Sequence, residues 1–190
     1  SSSFVFAALS RFSVGLNVLG ATINTGSLPD GQFFSWLGQA QAVQRFEDWG
    51  GLQVLGRVAV QLANDRLFPL EQMPVGGRFS VRGYRENTLV RDDGFVASLE
   101  SRIPIWKYAS GEDRLQFAPF MDFGRAWNAK GDTPDLRTLA SIGAGLRWMI
   151  LPKDRAYFEV YWGQQLNHVR GGEGNLQDHG IHLQLVVRVL

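Results

Sequence analysis

The sequence contains no cysteine and carries almost no net charge. Without cysteine, the 190 residues can form neither disulfides nor thiolate metal sites. The 19 lysines and arginines nearly balance the 18 aspartates and glutamates, which leaves a net charge of +1. A charge this small offers no electrostatic attraction for nucleic acid or for an acidic membrane surface. Nucleic acid is therefore not expected among the partners of this chain.

Long apolar runs are also missing, as are the features of a secretion signal. No window approaches the roughly 18 continuous apolar residues that a transmembrane helix needs. The opening SSSFVFAALSRF lacks the basic segment and the cleavage site of a signal peptide, so we expect it to come from the middle of a longer chain. What the sequence does have is 22 glycines and 13 phenylalanines. This composition favours an all-β protein with many turns.

Apolar and polar residues alternate along most of the chain, which is the period of a β-strand with two different faces. The alternation predicts eight strands, near 4–18, 33–46, 51–64, 94–106, 115–127, 137–150, 156–166 and 179–190. Segments of roughly 10–14 residues are longer than the average strand of about 5–6. They match the strands of about 9–11 residues that cross a bilayer. Since one face is charged and the other apolar, we predict an antiparallel transmembrane β-barrel with a polar lumen.

The connections between these segments alternate in length. Long connections are predicted at 20–31, 66–93, 128–136 and 167–178, and short ones at 47–50, 107–113 and 151–155. Outer-membrane barrels have long extracellular loops and short periplasmic turns, so this order supports a membrane barrel. A soluble barrel of the lipocalin kind remains the alternative, because alternation alone does not say which face is outside.

Two motifs give the sequence a family resemblance. The segment 67–105, LFPLEQMPVGGRFSVRGYRENTLVRDDGFVASLESRIPI, contains VRGY, and FMDFG follows on the next predicted strand. The residues of these motifs are Val81, Arg82, Gly83 and Tyr84 in the first, and Phe120, Asp122 and Gly124 in the second. Together they resemble the outer-membrane protein 85 superfamily, and within it the transporters of two-partner secretion, of the haemolysin-activator and haemagglutinin-transporter type.

The resemblance implies a fold and a function. The fold would be the C-terminal half of a sixteen-stranded barrel, with loop 66–93 folded back into the lumen. The function would be translocation of an unfolded partner exoprotein to the cell surface without ATP, in the outer membrane of a Gram-negative-type cell. Outer-membrane lipid and the barrel-assembly machinery would be further partners, and neither enzymatic activity nor a cofactor is implied.

Several alternatives stay open at this point. The chain could instead come from a factor that assembles and inserts other barrels. It could also be a small outer-membrane enzyme or a structural barrel. The eight strands could close into a barrel of their own, pair with a second copy, or form part of a longer barrel. We favour the last of these, because a closed eight-stranded barrel has an interior filled by its own side chains and leaves no room for an inserted loop.

Arg82 is the expected centre of the site. Its guanidinium offers five donors in a fixed plane and stays charged, so it suits a carboxylate in a shielded place. Asp122 lies on the polar phase of its strand, whereas Met121 and Phe123 lie on the apolar phase. We therefore predict an Arg82–Asp122 ion pair, which the resemblance also implies. Glu100 shares the polar phase of the preceding strand and is a second candidate partner.

The other motif residues have simpler expected roles. Gly83 allows a turn where a Cβ would clash, and Tyr84 packs against the barrel wall with its hydroxyl paired. Gly124 leaves space beside the acid for the loop backbone. The loop is either an adjustable element of the pore or a plug that only stabilises the barrel. Polar residues expected to line the pore are Arg57, Arg102, Gln116 and Arg147.

Other polar residues do not form a recognisable site. His168, His179 and His182 have no carboxylate cluster at ligand spacing, so no metal site is expected. Asp92 and Asp93 precede a glycine, which indicates a turn rather than a calcium loop. No serine, histidine and aspartate follow a catalytic order, and no catalytic residue is expected.

Overall fold

The computed structural model describes residues 2–18, 20, 24, 28–29, 31–151, 155–167, 169 and 174–188. The described strands are β1 (Ser2–Val14), β2 (Phe34–Phe46), β3 (Leu52–Ala63), β4 (Met73–Val75), β5 (Leu89–Arg91), β6 (Asp93–Lys107), β7 (Asp113–Trp127), β8 (Thr138–Leu151), β9 (Ala156–Gln165) and β10 (Ile181–Val187). All except β4 and β5 belong to one antiparallel sheet, in chain order. This arrangement confirms the all-β antiparallel fold and forms part of a barrel. No helix in the described segments is long and apolar enough to cross a bilayer.

The strand ends differ from the predicted segments by a few residues. The first strand covers Ser2–Val14 rather than 4–18, and the last covers Ile181–Val187 rather than 179–190. Residues 189–190, and parts of the predicted connections at 20–31, 151–155 and 167–178, lie outside the described residues. A short 3₁₀ turn, Glu47–Trp49, occupies the predicted short connection at 47–50 and ends at Gly50 in the left-handed conformation.

The small sheet of β4 and β5 lies inside segment 66–93, which the sequence pattern predicted as a loop. Met73 pairs with Arg91, and Val75 pairs with Leu89. Each strand has three residues, too few for an alternating pattern to be recognised. The pairing brings the two ends of this segment, called here the inserted loop, close together.

The register of the large sheet separates its two faces. Ser98 of β6 lies opposite Asp122 of β7, which lies opposite Ser141 of β8. Since side chains alternate across a strand, polar residues on these strands share one face. The opposite face carries exposed apolar side chains, among them Val58, Leu99, Met121 and Ile142. An apolar outer face and a polar inner face are the arrangement of a transmembrane barrel.

The larger apolar core lies between the inserted loop, including its small sheet, and the inner face of the large sheet. Its buried members come from both sides: Met73, Val75, Val81, Tyr84 and Leu89 from the loop, and Val96, Ala126 and Leu139 from the sheet. Burial of a large aliphatic side chain contributes roughly 1.5–3 kcal/mol. The loop is therefore a folded part of the molecule.

Asp92 fastens the base of the inserted loop. Its Oδ1 accepts hydrogen bonds from Leu67 N at 3.0 Å and Gln72 Nε2 at 2.8 Å. Its Oδ2 accepts one from Ala129 N at 3.0 Å and lies 3.2 Å from Arg66 Nε. The carboxylate is completely buried. It therefore joins the start of the loop, its end and the connection between β7 and β8.

We predict that Asp92→Ala destabilises the folded barrel strongly. The change leaves one buried donor, Leu67 N, and two partly buried donors, Gln72 Nε2 and Ala129 N, without an acceptor. A fully buried donor without a partner costs about 1–3 kcal/mol. The measurement is the temperature at which the full-length protein loses its fast-migrating folded band on a detergent gel. The control is Asp135→Ala, because Asp135 is exposed. An Asp92→Ala protein that unfolds at the same temperature as this control would contradict the assigned role.

Candidate functional site

Two neighbouring residues of the inserted loop touch four strands of the sheet. Arg82 contacts β6 through Glu100 and β7 through Asp122. Gly83 lies against Gly163 of β9 and His182 of β10. On a flat sheet, the strands β6 and β10 would be about 19 Å apart, at about 4.8 Å for each neighbour. The sheet must therefore curve around the loop, and the site lies on its concave side.

Arg82 binds Asp122 through three hydrogen bonds. Its Nε donates to Oδ2 and its Nη2 donates to Oδ1, both at 2.8 Å, and its backbone N donates to Oδ2 at 3.0 Å. Two parallel bonds from one guanidinium to one carboxylate form the strongest and most directional arrangement of this pair. Both side chains are almost completely buried. The backbone bond adds a constraint on the direction in which the loop enters.

The remaining faces of the Arg82 guanidinium are also occupied. Its Nη1 donates to Glu100 Oε2, and the ring of Phe120 lies 3.7 Å from its Cζ. Glu100 Oε1 accepts from Arg102 Nε at 2.7 Å and from the Tyr161 hydroxyl at 3.3 Å. The structure thus places three of the predicted motif partners, Asp122, Glu100 and Phe120, in direct contact with the arginine.

Ser98 completes this polar cluster and was not selected from the sequence. Its hydroxyl donates to Asp122 Oδ1 at 2.7 Å and accepts from Arg82 Nη2 at 3.2 Å. Ser98 lies two positions before Glu100 and therefore on the same face of the strand. This shared face is the indication that the sequence offered for its place in the cluster. Serine is common on the inner face, and nothing in the sequence distinguishes this one from Ser141.

Gly83 lies against β9, backbone to backbone. It has a positive φ of 91°, and a Cβ at this position would lie 2.7 Å from Gly163 O. A Cβ at Gly163 would in turn lie 2.8 Å from Gly83 N. The Gly83 N donates to His182 Nε2 at 3.1 Å, and its carbonyl accepts from Gln165 Nε2 at 2.8 Å. The backbone N–H and C=O of Gly83 are thus both hydrogen-bonded to side chains of the wall.

The expectation that the loop backbone approaches the wall at Gly124 is wrong in its detail. A Cβ there would meet the Cγ1 of Val75 at 2.5 Å and the Cγ2 of Val81 at 2.8 Å, so loop side chains fill the space. The backbone approach occurs at Gly163, which sequence reasoning did not select. The signal was available, because a glycine inside a strand often marks the close approach of another backbone.

Tyr84 joins the inserted loop to β8 and to the connection that follows β9. Its ring is buried in the apolar core. Its hydroxyl lies 2.8 Å from the carbonyl oxygen of Ala140 and 2.9 Å from that of Asn167. The hydroxyl also accepts from Asn167 N at 3.2 Å. Through these contacts the Tyr84 hydroxyl links Ala140 of β8 to Asn167, in the connection that follows β9.

A second ion pair holds the loop and was missed from the sequence. Arg78 Nη2 donates to Glu159 Oε2, and the Arg78 Cζ lies 4.2 Å from the centre of the Tyr161 ring. Glu159 Oε1 also accepts from Arg147 Nε at 2.5 Å. The sequence showed Glu159 as one polar residue among many on its strand. Its contact with Arg78 spans 81 positions and depends on how the loop folds.

The four residues predicted to line the pore all lie on the inner face. Arg102 binds Glu100, and Arg147 donates from Nη1 to Gln116 Oε1 at 2.8 Å. Gln116 donates in turn to Asp113 Oδ2 at 2.9 Å. Arg57 is half-buried on β3, opposite Ser98 in the register. Three of the four are thus engaged with other side chains of the wall.

The histidines are placed as follows. His168 lies outside the described residues. His182 accepts the hydrogen bond from Gly83 N. Among the residues that the structure describes, no three histidine, aspartate or glutamate side chains come together as metal ligands would.

Outside the strands, Arg85 binds Asp178. Arg85 Nη2 donates to Asp178 Oδ2 at 2.6 Å, and Nε donates to Oδ1. These hydrogen bonds, with one from Asn175 N, lower the pKa of Asp178 to about 2. Because its folded pKa is depressed, the carboxylate contributes stability above its ordinary pKa of about 3.9. That contribution is lost as the pH falls through about 2.

We predict that the carboxyl carbon of Asp178 titrates with a midpoint near 2 in the folded protein. The measurement is its ¹³C chemical shift as a function of pH. Arg85→Ala removes the two donors, and the midpoint should then move towards about 3.9. A wild-type midpoint near that ordinary value would show that the ion pair does not persist in solution.

We predict that Gly163→Ala displaces the inserted loop, since the added methyl group would overlap the backbone of Gly83. The measurement is trypsin cleavage after Arg85 on intact cells, which should become faster. Gly56→Ala is the matched control, because a Cβ there meets no atom within 4 Å. Equal cleavage rates in the two variants would mean that the loop does not depend on the glycine contact.

Comparison with known protein families identifies one match. The family model described as haemolysin secretion/activation protein ShlB/FhaC/HecB matches residues 2–148. The matched residues are most of the chain and include the inserted loop, β7 and nearly all of β8. No curated protein shows significant similarity to this chain.

Proposed function

Because the chain belongs to the haemolysin secretion/activation family ShlB/FhaC/HecB, we propose that it forms part of a two-partner secretion pore in the outer membrane. The pore carries a partner exoprotein, unfolded during passage, to the surface of a Gram-negative-type cell without ATP. The eight strands belong to a longer barrel, of which they make up the C-terminal half. The apolar outer face contacts outer-membrane lipid, and the barrel-assembly machinery inserts the chain.

The observation that carries this proposal is how the inserted loop is held. Besides the apolar contacts of Val81 and Tyr84, its tip around Arg78 and Arg82 is bound to the wall by ion pairs and by contacts of a glycine backbone. Ion pairs have defined partners and weaken when water or another charged chain enters. A loop held in this way has one preferred position and can still leave it. Both properties suit an element that controls a pore.

The polar character of the inner wall supports the proposal that an unfolded chain passes along it. Its arginines and glutamines place polar groups along β6, β7 and β8, at Arg102, Gln116 and Arg147, which are paired with other wall side chains while the loop is docked. Such groups form weak hydrogen bonds with a peptide backbone of any sequence. We infer that these side chains, together with Arg57, line the path of the exoprotein.

We predict that Arg82→Ala and Asp122→Ala each reduce secretion strongly. Arg82→Ala leaves Asp122 buried without a cation, at a cost of roughly 3–5 kcal/mol. Asp122→Ala removes three hydrogen bonds from Arg82, which keeps Glu100 as its remaining counter-charge. Exchanging the two residues, Arg82→Asp with Asp122→Arg, should restore part of the activity. The measurement is the amount of exoprotein in the medium, normalised to the folded transporter in the membrane.

The control for this experiment is Arg125→Ala, which removes an exposed arginine from the same strand as Asp122. It should secrete at the wild-type level. If both single variants also secrete at the wild-type level with equal amounts of folded barrel, the ion pair has no role in transport.

A further inference from the structure

Three wall carboxylates bind the arginines of the inserted loop. Asp122 and Glu100 bind Arg82, and Glu159 binds Arg78. Glu100 and Glu159 each have a second cation, which belongs to the wall itself. Arg102 Nε lies 2.7 Å from Glu100 Oε1, and Arg147 Nε lies 2.5 Å from Glu159 Oε1. These two carboxylates would stay paired if the loop withdrew.

Asp122 has no such second cation in contact. Apart from Arg82, its side chain accepts a hydrogen bond from the Ser98 hydroxyl. Withdrawal of Arg82 would therefore leave the Asp122 carboxylate with a single neutral donor from the protein. A cation that reached Asp122 at that point would stabilise the released loop, because opposite charges attract most strongly at short distance and low dielectric.

Arg57 is the residue placed to do this. It lies opposite Ser98 across one pair of strands, and Ser98 lies opposite Asp122 across the next. The Cα atoms of Arg57 and Asp122 are thus about 10 Å apart on the same face. Glu100 is a diagonal neighbour of Arg57, at about 7–8 Å, which long side chains can bridge. An arginine can therefore reach both carboxylates.

The guanidinium of Arg57 forms no hydrogen bond or ion pair within the described part of the chain. The side chain borders a cavity of about 490 Å³, which Val96 and Ser98 also line. The charges that act on it most are those of Arg82, Glu100, Arg78 and Asp122. While the loop is docked, Arg82 and Arg78 repel the charge of Arg57, and Glu100 and Asp122 attract it.

We propose that Arg57 is a reserve cation, which occupies Asp122 and Glu100 when Arg82 withdraws. Loop release then exchanges one ion pair for another. The charges agree with this exchange. In this cluster, three arginines of the wall balance three carboxylates once the loop has gone: Arg57, Arg102 and Arg147 against Asp122, Glu100 and Glu159. With the loop docked, Arg78 and Arg82 add two positive charges, and Arg57 is displaced. Arg57 is thus a positioning residue for the loop, in addition to lining the pore.

This proposal deepens the function proposed above and rests on it for its purpose, but its test needs no exoprotein. Removing Arg57 should hold the loop more firmly, because the released state loses the cation that would neutralise Asp122. A residue that only lines the pore, or only stabilises the barrel, would not tighten the loop when removed.

The experiment measures release of the loop in the full-length protein in lipid vesicles. A spin label is attached at Phe79→Cys, a position at the loop tip that is exposed and lies in a segment without cysteine. Urea is added, and the concentration at which the label becomes mobile is recorded. The urea midpoints of the variants are compared, rather than their spectra without urea. Phe79 borders the same cavity as Arg57, so a substitution at Arg57 alters the surroundings of the label directly.

Arg57→Gln should raise the midpoint, equivalent to about a tenfold larger ratio of docked to released loop, the size typical of one charge-assisted hydrogen bond. Arg82→Gln should lower it. Arg57→Lys should stay close to wild type, and so should Arg45→Gln, which removes a wall arginine bound elsewhere. In an Asp122→Asn background, the effect of Arg57→Gln should shrink to less than about twofold, because its target is gone.

The proposal is overturned if Arg57→Gln leaves the midpoint unchanged or lowers it. It is also overturned if the effect persists undiminished with Asp122→Asn. Failure of the proposed function gives a different result: the transporter would release no exoprotein in cells, while the shifts of the urea midpoint would remain. The two ideas can therefore be judged separately.

Discussion

A buried guanidinium needs acceptors for its donors and negative charge nearby, and the site is arranged around this need of Arg82. Asp122 and Glu100 supply the charge, Ser98 supplies a further acceptor, and the ring of Phe120 covers one face. Because these groups come from two neighbouring strands, the arginine can bind only where the register aligns them. The position of the inserted loop follows from this alignment, and so does the place where its glycine backbone meets β9.

The pair of Arg82 and Asp122 could be anticipated because it depends on strand phase, which the sequence displays directly. Alternation along β7 showed that Asp122 faces inwards, and one inward acid two strands from the loop leaves few choices for a buried arginine. The contacts of Gly163 and His182 could not be found in this way. They follow from the curvature of the sheet, which no local pattern encodes.

Asp92 shows a different limit of sequence reasoning. The dipeptide before a glycine was interpreted as turn chemistry, but the chain only bends at Asp92, and Asp93 and the glycine already belong to β6. Whether a turn carboxylate faces solvent or the interior depends on what packs over it. Here the connection between β7 and β8 covers Asp92, and the backbone N–H of Ala129 in this connection donates a hydrogen bond to its carboxylate. The same residue type at Asp135 remains exposed, although both lie in connections.

The contact between Gly83 and Gly163 has a consequence for the shape of the barrel. Two backbones without side chains between them touch over a very short distance, so this contact has no side chain that could adjust to a change of spacing. If β9 moved away from the loop, the contact would be lost at once. The separation of Gly83 and Gly163 is therefore a direct measure of how tightly the sheet closes around the inserted loop.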